Sequence, residues 1–195
     1  IKPNNRADLS SFSLSYQDKS NLTENTTASS VYRYILTQGE VEKYYEDAKR
    51  FYNSYNDNEA QKCIHVLLNS NASSSVRQKA RQLMDYLEEP VFDSKFELYS
   101  FQEVSKDLYL YQDCYVIWSG RVTNVNSNEK YFNADLLVGY EDMKKIEGIA
   151  HLRISSEISV NPEKPLKVLG KISIENGSLI LLGKAIYQPL TGDKL

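Results

Sequence analysis

The sequence predicts an α+β fold in which a set of helices precedes a five-stranded β-barrel. Over residues 31–90, apolar residues recur at intervals of three and four, which is the pattern of helices with one buried face. From Tyr115 onward the chain changes to runs of β-branched and aromatic residues that alternate with polar ones. The first of these runs contains Gly120, which favours the strong bend that a small closed barrel requires.

The first 30 residues differ from both of these regions because they are rich in Asn, Ser and Thr. Their apolar residues are too few to offset the entropy lost on ordering the chain, so we predict a flexible tether over residues 1–30. One stretch is an exception to this pattern. Apolar residues alternate loosely from Leu9 to Tyr16, and this alternation would suit a short strand paired with an exposed sheet edge.

The helical region over residues 31–90 is predicted to hold three helices separated by Asn- and Ser-rich breaks. The last of them begins after a serine cap at Ser73 and ends before Pro90. Small residues lie among the larger apolar ones at intervals that would let paired helices approach closely. The small residues of this pattern are Ala48, Ala60 and Ala80, and Tyr52 is the larger residue placed with them.

In this pattern, residues 39–88 resemble a tetratricopeptide-type array of helical hairpins. The resemblance implies a concave surface that holds peptides or other proteins. The sequence lacks the Trp-x-x-Leu-Gly opening of that family, and the segment is shorter than the roughly three repeats that a stable array needs. A simple three-helix packing unit therefore remains the alternative.

A connector over residues 91–111 is predicted to lead into a barrel over residues 112–190. Within the connector, Ser100 and Glu103 have the spacing of a capping box, which predicts a short helix through about Leu108. Asn176 and Gly177 form a strong hairpin signal between the last two strands. The predicted strands are 115–125, 131–140, one within 147–160, 166–174 and 179–188.

The strand order and the placing of the glycines over residues 112–188 resemble an oligonucleotide/oligosaccharide-binding (OB) fold. The helix that this family usually carries between its third and fourth strands is reduced here to a proline-containing loop at 161–165. The alternative is a helix-plus-curved-sheet cone of the NTF2 type, in which the preceding helices would belong to the same domain as the sheet.

The OB resemblance implies a ligand surface on the outside of the barrel, which carries aromatic residues for stacking and basic residues for phosphates. If Phe132 and its alternate neighbours point inward, the residues between them point outward. The same alternation on the first and third strands completes the surface, which we call the outer face. Its predicted members are Arg121, Tyr131, Asn133, Asp135, His151 and Arg153.

The sequence contains no recognisable catalytic motif. His65 and His151 are the only histidines, and neither has a nucleophile near it in sequence. Cys63 and Cys114 lack the spacing of a metal site, and we interpret them as buried free thiols, with a disulfide as the alternative. We therefore expect no enzymatic activity, no metal and no cofactor.

Charge argues against general nucleic-acid binding. The net charge is −3, with a balance of −4 over residues 1–114 and +1 over residues 115–195, so neither half is strongly basic. No run of about 18 apolar residues predicts a membrane span. The chain begins at Ile1 rather than Met, which suggests either a trimmed chain or a mature form from which a signal or anchor has been removed.

These observations predict a non-enzymatic module of the bacterial cell envelope that binds another protein or serves as a scaffold. The arrangement resembles uncharacterised bacterial envelope proteins, which implies an extracytoplasmic location. The alternative function is binding of single-stranded nucleic acid or oligosaccharide through the outer face.

Overall fold

The computed structural model describes residues 6–24, 31–96 and 98–189. These residues divide into two compact units, which we call the helical unit and the barrel unit. The helical unit holds the described residues up to Glu89 together with 95–96, and the barrel unit holds 90–94 and 98–189. The predicted α+β class, with helices before a barrel, is confirmed.

Four helices form the helical unit. They are α1 (Tyr16–Ser20), α2 (Gln38–Asn53), α3 (Asp57–Leu68) and α4 (Ser74–Met84). Polar side chains cap the helix starts, as where Thr37 accepts from the backbone N–H of Glu40 and the Glu40 carboxylate accepts from that of Thr37. The small residues Ala48, Ala60 and Ala80 are all buried in the shared core, where they leave room for neighbouring helices. The tetratricopeptide likeness stays a prediction.

The segment predicted as a tether is part of this core. Leu9, Leu14 and Leu22 are buried, with Leu9 only 3% exposed, and they pack among the apolar faces of α2 to α4. Backbone bonds also hold the segment, since the Ser73 N–H donates to the Leu22 carbonyl at 2.8 Å. The tether prediction is therefore wrong for residues 6–24, because these leucines bury enough apolar area to order the chain.

The suggested strand from Leu9 to Tyr16 is likewise absent. A 3-10 turn at Ser10–Phe12 and the beginning of α1 take its place. The remaining parts of the predicted tether, residues 1–5 and 25–30, lie outside the described residues.

Several ion pairs fasten this segment to the helices, and the two most buried involve Asp18 and Arg6. The Asp18 carboxylate lies 2.6 Å from the Lys79 ammonium group on α4, and its side chain is almost wholly buried. The Arg6 guanidinium makes two bonds to the Asp57 carboxylate, at 2.6 and 2.7 Å. It also stacks over the Tyr52 ring, 4.5 Å from the ring centre. The segment thus contributes both apolar and charged groups to the helical unit.

The barrel unit contains a short helix, α5 (Phe101–Lys106), and five strands. The strands are β1 (Tyr115–Asn128), β2 (Tyr131–Val138), β3 (Gly148–Ile154), β4 (Leu166–Glu175) and β5 (Ser178–Tyr187). They close into a barrel in the order β1-β2-β3-β5-β4, with β3 and β5 parallel and every other pair antiparallel. This confirms the predicted five-stranded OB-like barrel. It excludes the cone, because the sheet closes on itself.

β1 is shared between two neighbours. It pairs with β4 over residues 115–120 and with β2 over residues 120–128. Gly120 lies where the two ladders meet, and a Cβ at that position would lie 2.0 Å from the Leu137 carbonyl oxygen. The close backbone approach at this bend therefore requires glycine.

Residues that precede β1 complete the barrel core. Trp118 is buried as its alternation predicts, and its indole N–H donates to the Tyr99 carbonyl at 2.9 Å. The Phe101 ring on α5 packs edge-on against Trp118 at 5.2 Å between ring centres. Tyr111, in a 3-10 turn after α5, joins the same cluster. Of the described residues of the predicted connector, all but 95–96 therefore belong to the barrel unit.

Two kinds of helix are absent from the described residues. Residues 155–165, between β3 and β4, contain no helix, in agreement with the reduced loop predicted there. Among the helices of the described ranges, none is both long enough and apolar enough to cross a bilayer.

Candidate functional site

The outer face is carried by β1, β2 and β3. On β2 the alternation is regular, with Phe132, Ala134, Leu136 and Val138 buried and the residues between them half-buried. His151 and Arg153 are exposed on β3, where they lie opposite Asp135 and Asn133 in the strand register. The β2–β3 ladder therefore brings four of the six predicted residues together.

Asp135 is the centre of the first polar group on this face. Its carboxylate lies 2.6 Å from His151 Nδ1 and accepts from the Asn124 amide at 2.7 Å. These two contacts, the Asn124 hydrogen bond being the larger, lower the pKa of Asp135 despite its partial burial. Asp135 is therefore held as a carboxylate that already has two partners.

Arg153 forms the second polar group. Its guanidinium binds the Glu175 carboxylate with two hydrogen bonds, at 2.6 and 3.1 Å. This hydrogen bonding lowers the pKa of Glu175 and raises the pKa of Arg153. The pair joins the end of β3 to the end of β4, and the positive charge of Arg153 is matched within the chain.

Arg121 and Tyr131 lie apart from these two groups. The Arg121 guanidinium donates to the backbone carbonyls of Glu141, at 3.2 Å, and of Glu163, so it fastens two loops. The Tyr131 hydroxyl is 3.5 Å from the Asn126 side-chain oxygen, close to the β1–β2 turn. The structure thus places the predicted aromatic residue and the first predicted arginine in supporting roles at the margin of the face.

Two partners on this face escaped the sequence reasoning. Asn124 lies in a β-bulge of β1, between the pairs that Thr123 and Asn126 make with β2, and its φ is +51°. Asparagine tolerates this backbone conformation better than most residues, but an isolated Asn does not identify a bulge. Glu175 directly precedes the Asn176-Gly177 turn. This turn sets the β4–β5 pairing, which was the signal in the sequence for where Glu175 lies.

A cleft lies beside the β1–β2 turn, away from these polar groups. Its volume is about 760 Å³, and it runs between residues 125–130 and the loop residues 157–160. Phe132 contributes to its lining from within the barrel, where it is almost wholly buried. The sequence reasoning missed this cleft, because it depends on how the loop after β3 packs.

The Asp135–His151 pair is a carboxylate–imidazole contact on the strand surface. The His151 side chain is 60% exposed, and neither residue lines the cleft. Polar atoms of the pair can form hydrogen bonds with a ligand at this surface.

The other candidate groups lie in the cores. His65 is buried on α3, and its ring lies next to the Asn69 amide. Cys63 and Cys114 are both buried and form no disulfide, and burial raises the pKa of Cys63 to about 12, which keeps it as the unreactive thiol. Within the described part of the chain, no three His, Cys, Asp or Glu side chains group as metal ligands.

Comparison with known families finds two matches. Residues 93–187, just under half of the chain, match the family described as the Spirochaete C-terminal OB fold. Residues 21–84 match a domain of unknown function, DUF8514. The barrel unit is thus similar in sequence to an OB fold that is described from spirochaetes.

The wider comparisons add no function. No curated protein matches the chain. Among solved structures, the chain is similar to RecJ from Thermus thermophilus in complex with Mn²⁺, with 12% identity and a TM-score of 0.31. That alignment covers 60% of this chain but only 19% of the RecJ chain. A similarity at this level carries no conclusion about the present protein.

Proposed function

We propose that this chain is a non-enzymatic protein-binding module of the bacterial cell envelope. The observation that carries the proposal is the charge balance of the outer face. Arg153 is paired with Glu175, His151 lies against Asp135, and Arg121 donates to two backbone carbonyls. The cations that the OB resemblance would assign to phosphates are therefore already engaged within the chain.

This balance favours a protein partner over a polyanion. A nucleic acid held without sequence preference is bound by free Lys and Arg and by several stacked aromatic rings, and a strong binder neutralises about 6–10 phosphates. Of the predicted face residues, Tyr131 alone is aromatic. Protein interfaces, in contrast, commonly carry mixed charges and hydrogen-bonding groups around an apolar centre. The similarity to a spirochaete OB fold supports a bacterial source.

Affinity capture tests the proposal. The full chain, immobilised, is exposed to a spirochaete envelope extract, with excess free chain as competitor. We expect one retained protein that the free chain displaces and that mass spectrometry identifies. Recovery of no protein above the competed control would count against the proposed function.

A second experiment tests the charge argument directly. Labelled single-stranded oligonucleotide is titrated at low salt with the wild type, with Glu175→Gln and with Asp142→Asn. Glu175→Gln frees Arg153 and should raise the affinity, whereas Asp142→Asn makes the same charge change on a loop outside the outer face. Tight binding by the wild type that weakens steeply with salt would instead support the nucleic-acid alternative.

A further inference from the structure

The second half of β1 has an edge that none of the described strands covers. β4 pairs with β1 only as far as Gly120, whereas β1 continues to Asn128 alongside β2. In the ranges that the structure describes, no ladder or backbone bond joins the other edge of residues 121–128. Such an edge presents backbone N–H and C=O groups that an additional strand can bind.

The cleft shares residues with this segment, since Val125, Ser127 and Asn128 all line it. One of its walls is the β1–β2 hairpin over residues 125–130, and the other is the loop segment 157–160. The Asn128 side-chain oxygen accepts from the backbone N–H groups of Lys130 and Tyr131, at 2.8 and 3.1 Å. These bonds hold the turn in shape, so the first wall is formed before any partner arrives.

The opposite wall has the side-chain pattern of a strand without being one. Over residues 157–160, exposed and half-buried residues alternate, and Ile158 and Val160 pack against the barrel core. With Phe132 these side chains give the cleft an apolar floor. A bulge in β1 places Val125 in the lining as well, and its side chain is 40% exposed.

We infer that this cleft binds an extended segment of a partner protein, which adds as a strand to the free edge of β1. Strand addition supplies backbone hydrogen bonds for affinity, while every second side chain of the segment enters the apolar floor. A volume of about 760 Å³ lies within the range of binding pockets. The inference rests on the proposed protein-binding function and locates it outside the six predicted face residues.

The charges at the cleft define the segment further. Glu129 and Glu157 line it against the single base Lys130, so the lining is acidic by one charge. A complementary segment therefore alternates apolar residues with polar ones that include lysine or arginine. A phosphate chain would match neither the backbone edge nor the sign of these charges.

A defined peptide tests the inference. The probe is a fluorescein-labelled octapeptide in which valine alternates with threonine and lysine, titrated against the full chain by fluorescence anisotropy. Its matched control carries N-methyl groups on alternate residues, which removes the N–H donors of one edge. We expect saturable binding of the parent peptide and at least about tenfold weaker binding of the methylated one, because strand addition needs those donors.

Two protein variants locate the binding. Val125→Lys places a charge in the cleft and should weaken the peptide at least about tenfold. Ile146→Lys makes the same change at a comparably exposed residue (43%, against 40% for Val125) that is not in the cleft lining, and it should leave the affinity within about twofold. Hydrogen exchange should show new protection of amides within residues 121–128.

Several results would overturn the inference. The inference fails if no saturable binding appears at millimolar peptide or if the two peptides bind equally. It also fails if Val125→Lys leaves the peptide affinity unchanged or if the hydrogen-exchange protection lies outside β1. A concentration-dependent dimer abolished by Val125→Lys would assign the edge to a second copy instead. An envelope protein retained equally by wild type and Val125→Lys would remove the cleft but leave protein binding standing. Peptide binding without any captured envelope protein would support the cleft and count against an envelope partner.

Discussion

The two units differ in the burial of their ion pairs, although the helical unit also carries exposed pairs such as Lys19–Glu42. In the helical unit, Asp18 and Arg6 are almost wholly buried and each is bound to a partner from a distant helix. In the barrel unit, the Asp135–His151 and Arg153–Glu175 pairs lie on the surface between neighbouring strands. A buried charge that loses its partner is costly, whereas an exposed pair contributes little to stability. Loss of a partner in the first set is therefore expected to affect stability more than loss of a partner in the second.

The largest expected effect concerns the apolar contribution of the N-terminal segment. Leu9→Ala, Leu14→Ala and Leu22→Ala combined should lower the free energy of unfolding of the helical unit by more than about 6 kcal/mol, since each truncation of a buried leucine costs about 2–5 kcal/mol. Urea unfolding followed by helical circular dichroism measures it. Tyr16→Ala, at a side chain 92% exposed in the same segment, is the control. Equal unfolding midpoints for the triple variant and the wild type would instead support the predicted flexible tether.

The next largest effect concerns the core of the barrel unit. Trp118→Ala should lower the free energy of unfolding by about 3–5 kcal/mol, because it leaves a cavity beside Phe101. Thermal unfolding followed by circular dichroism measures the loss. Trp118→Phe is the control, since it keeps a ring in the core while it removes the bond to the Tyr99 carbonyl and part of the ring volume. A loss below about 1 kcal/mol for Trp118→Ala would mean that α5 and the residues before it contribute little to the core.

The third prediction uses pH to separate the units. Hydrogen bonds from Lys79, Ser75 and Ser15 hold the pKa of Asp18 well below its usual range. Because the folded pKa lies below the unfolded value of about 3.9, this stabilisation is complete above that pH and is lost as the pH falls below it. Asp18→Asn should cost about 1.5–3 kcal/mol at neutral pH and flatten the acid limb of the stability curve.

Unfolding midpoints between about pH 7 and pH 2 measure this effect. Asp8→Asn is the matched control, because Asp8 lies in the same segment but accepts only from Ser10 at an exposed position. An acid limb that is as steep in Asp18→Asn as in the wild type would assign acid sensitivity to other carboxylates.

The smallest effect is expected on the outer face. Asp135→Asn should change stability by no more than about 1 kcal/mol, since its partner His151 is largely exposed. Urea unfolding followed by Trp118 fluorescence measures it, because the only tryptophan lies in the barrel unit. A loss as large as that of Asp18→Asn would abolish the contrast between the two units and make the outer-face pair structural.

What the sequence predicted follows from regular local patterns. The alternation of Phe132 to Val138, the bend at Gly120 and the Asn176-Gly177 turn are each read from residue type and period. The closed five-stranded barrel was what the OB resemblance implied. The outer face was located by the same alternation. The ion pairs on the outer face were not predicted, because the partner of Arg153 comes from a strand 22 residues further along the chain.

The errors arose where periodicity was absent. Leu9, Leu14 and Leu22 have neither the spacing of a strand nor that of a helix, so their burial depends on the surface of α2 to α4. The bulge at Asn124 is an irregularity of the ladder, and the cleft needs the packing of residues 157–160. Composition alone cannot distinguish such a segment from a flexible one.

The parallel pairing of β3 with β5 has a consequence for folding during synthesis. The barrel closes only when β5, the last of the five strands, pairs with both β3 and β4. The ribosome completes the helical unit's sequence well before that point, and domains commonly fold in the order of their synthesis. Until β5 emerges, the edge of β3 that it will cover is open, and this non-local pairing is intrinsically slow. We therefore expect the nascent barrel to be the stage most prone to aggregation.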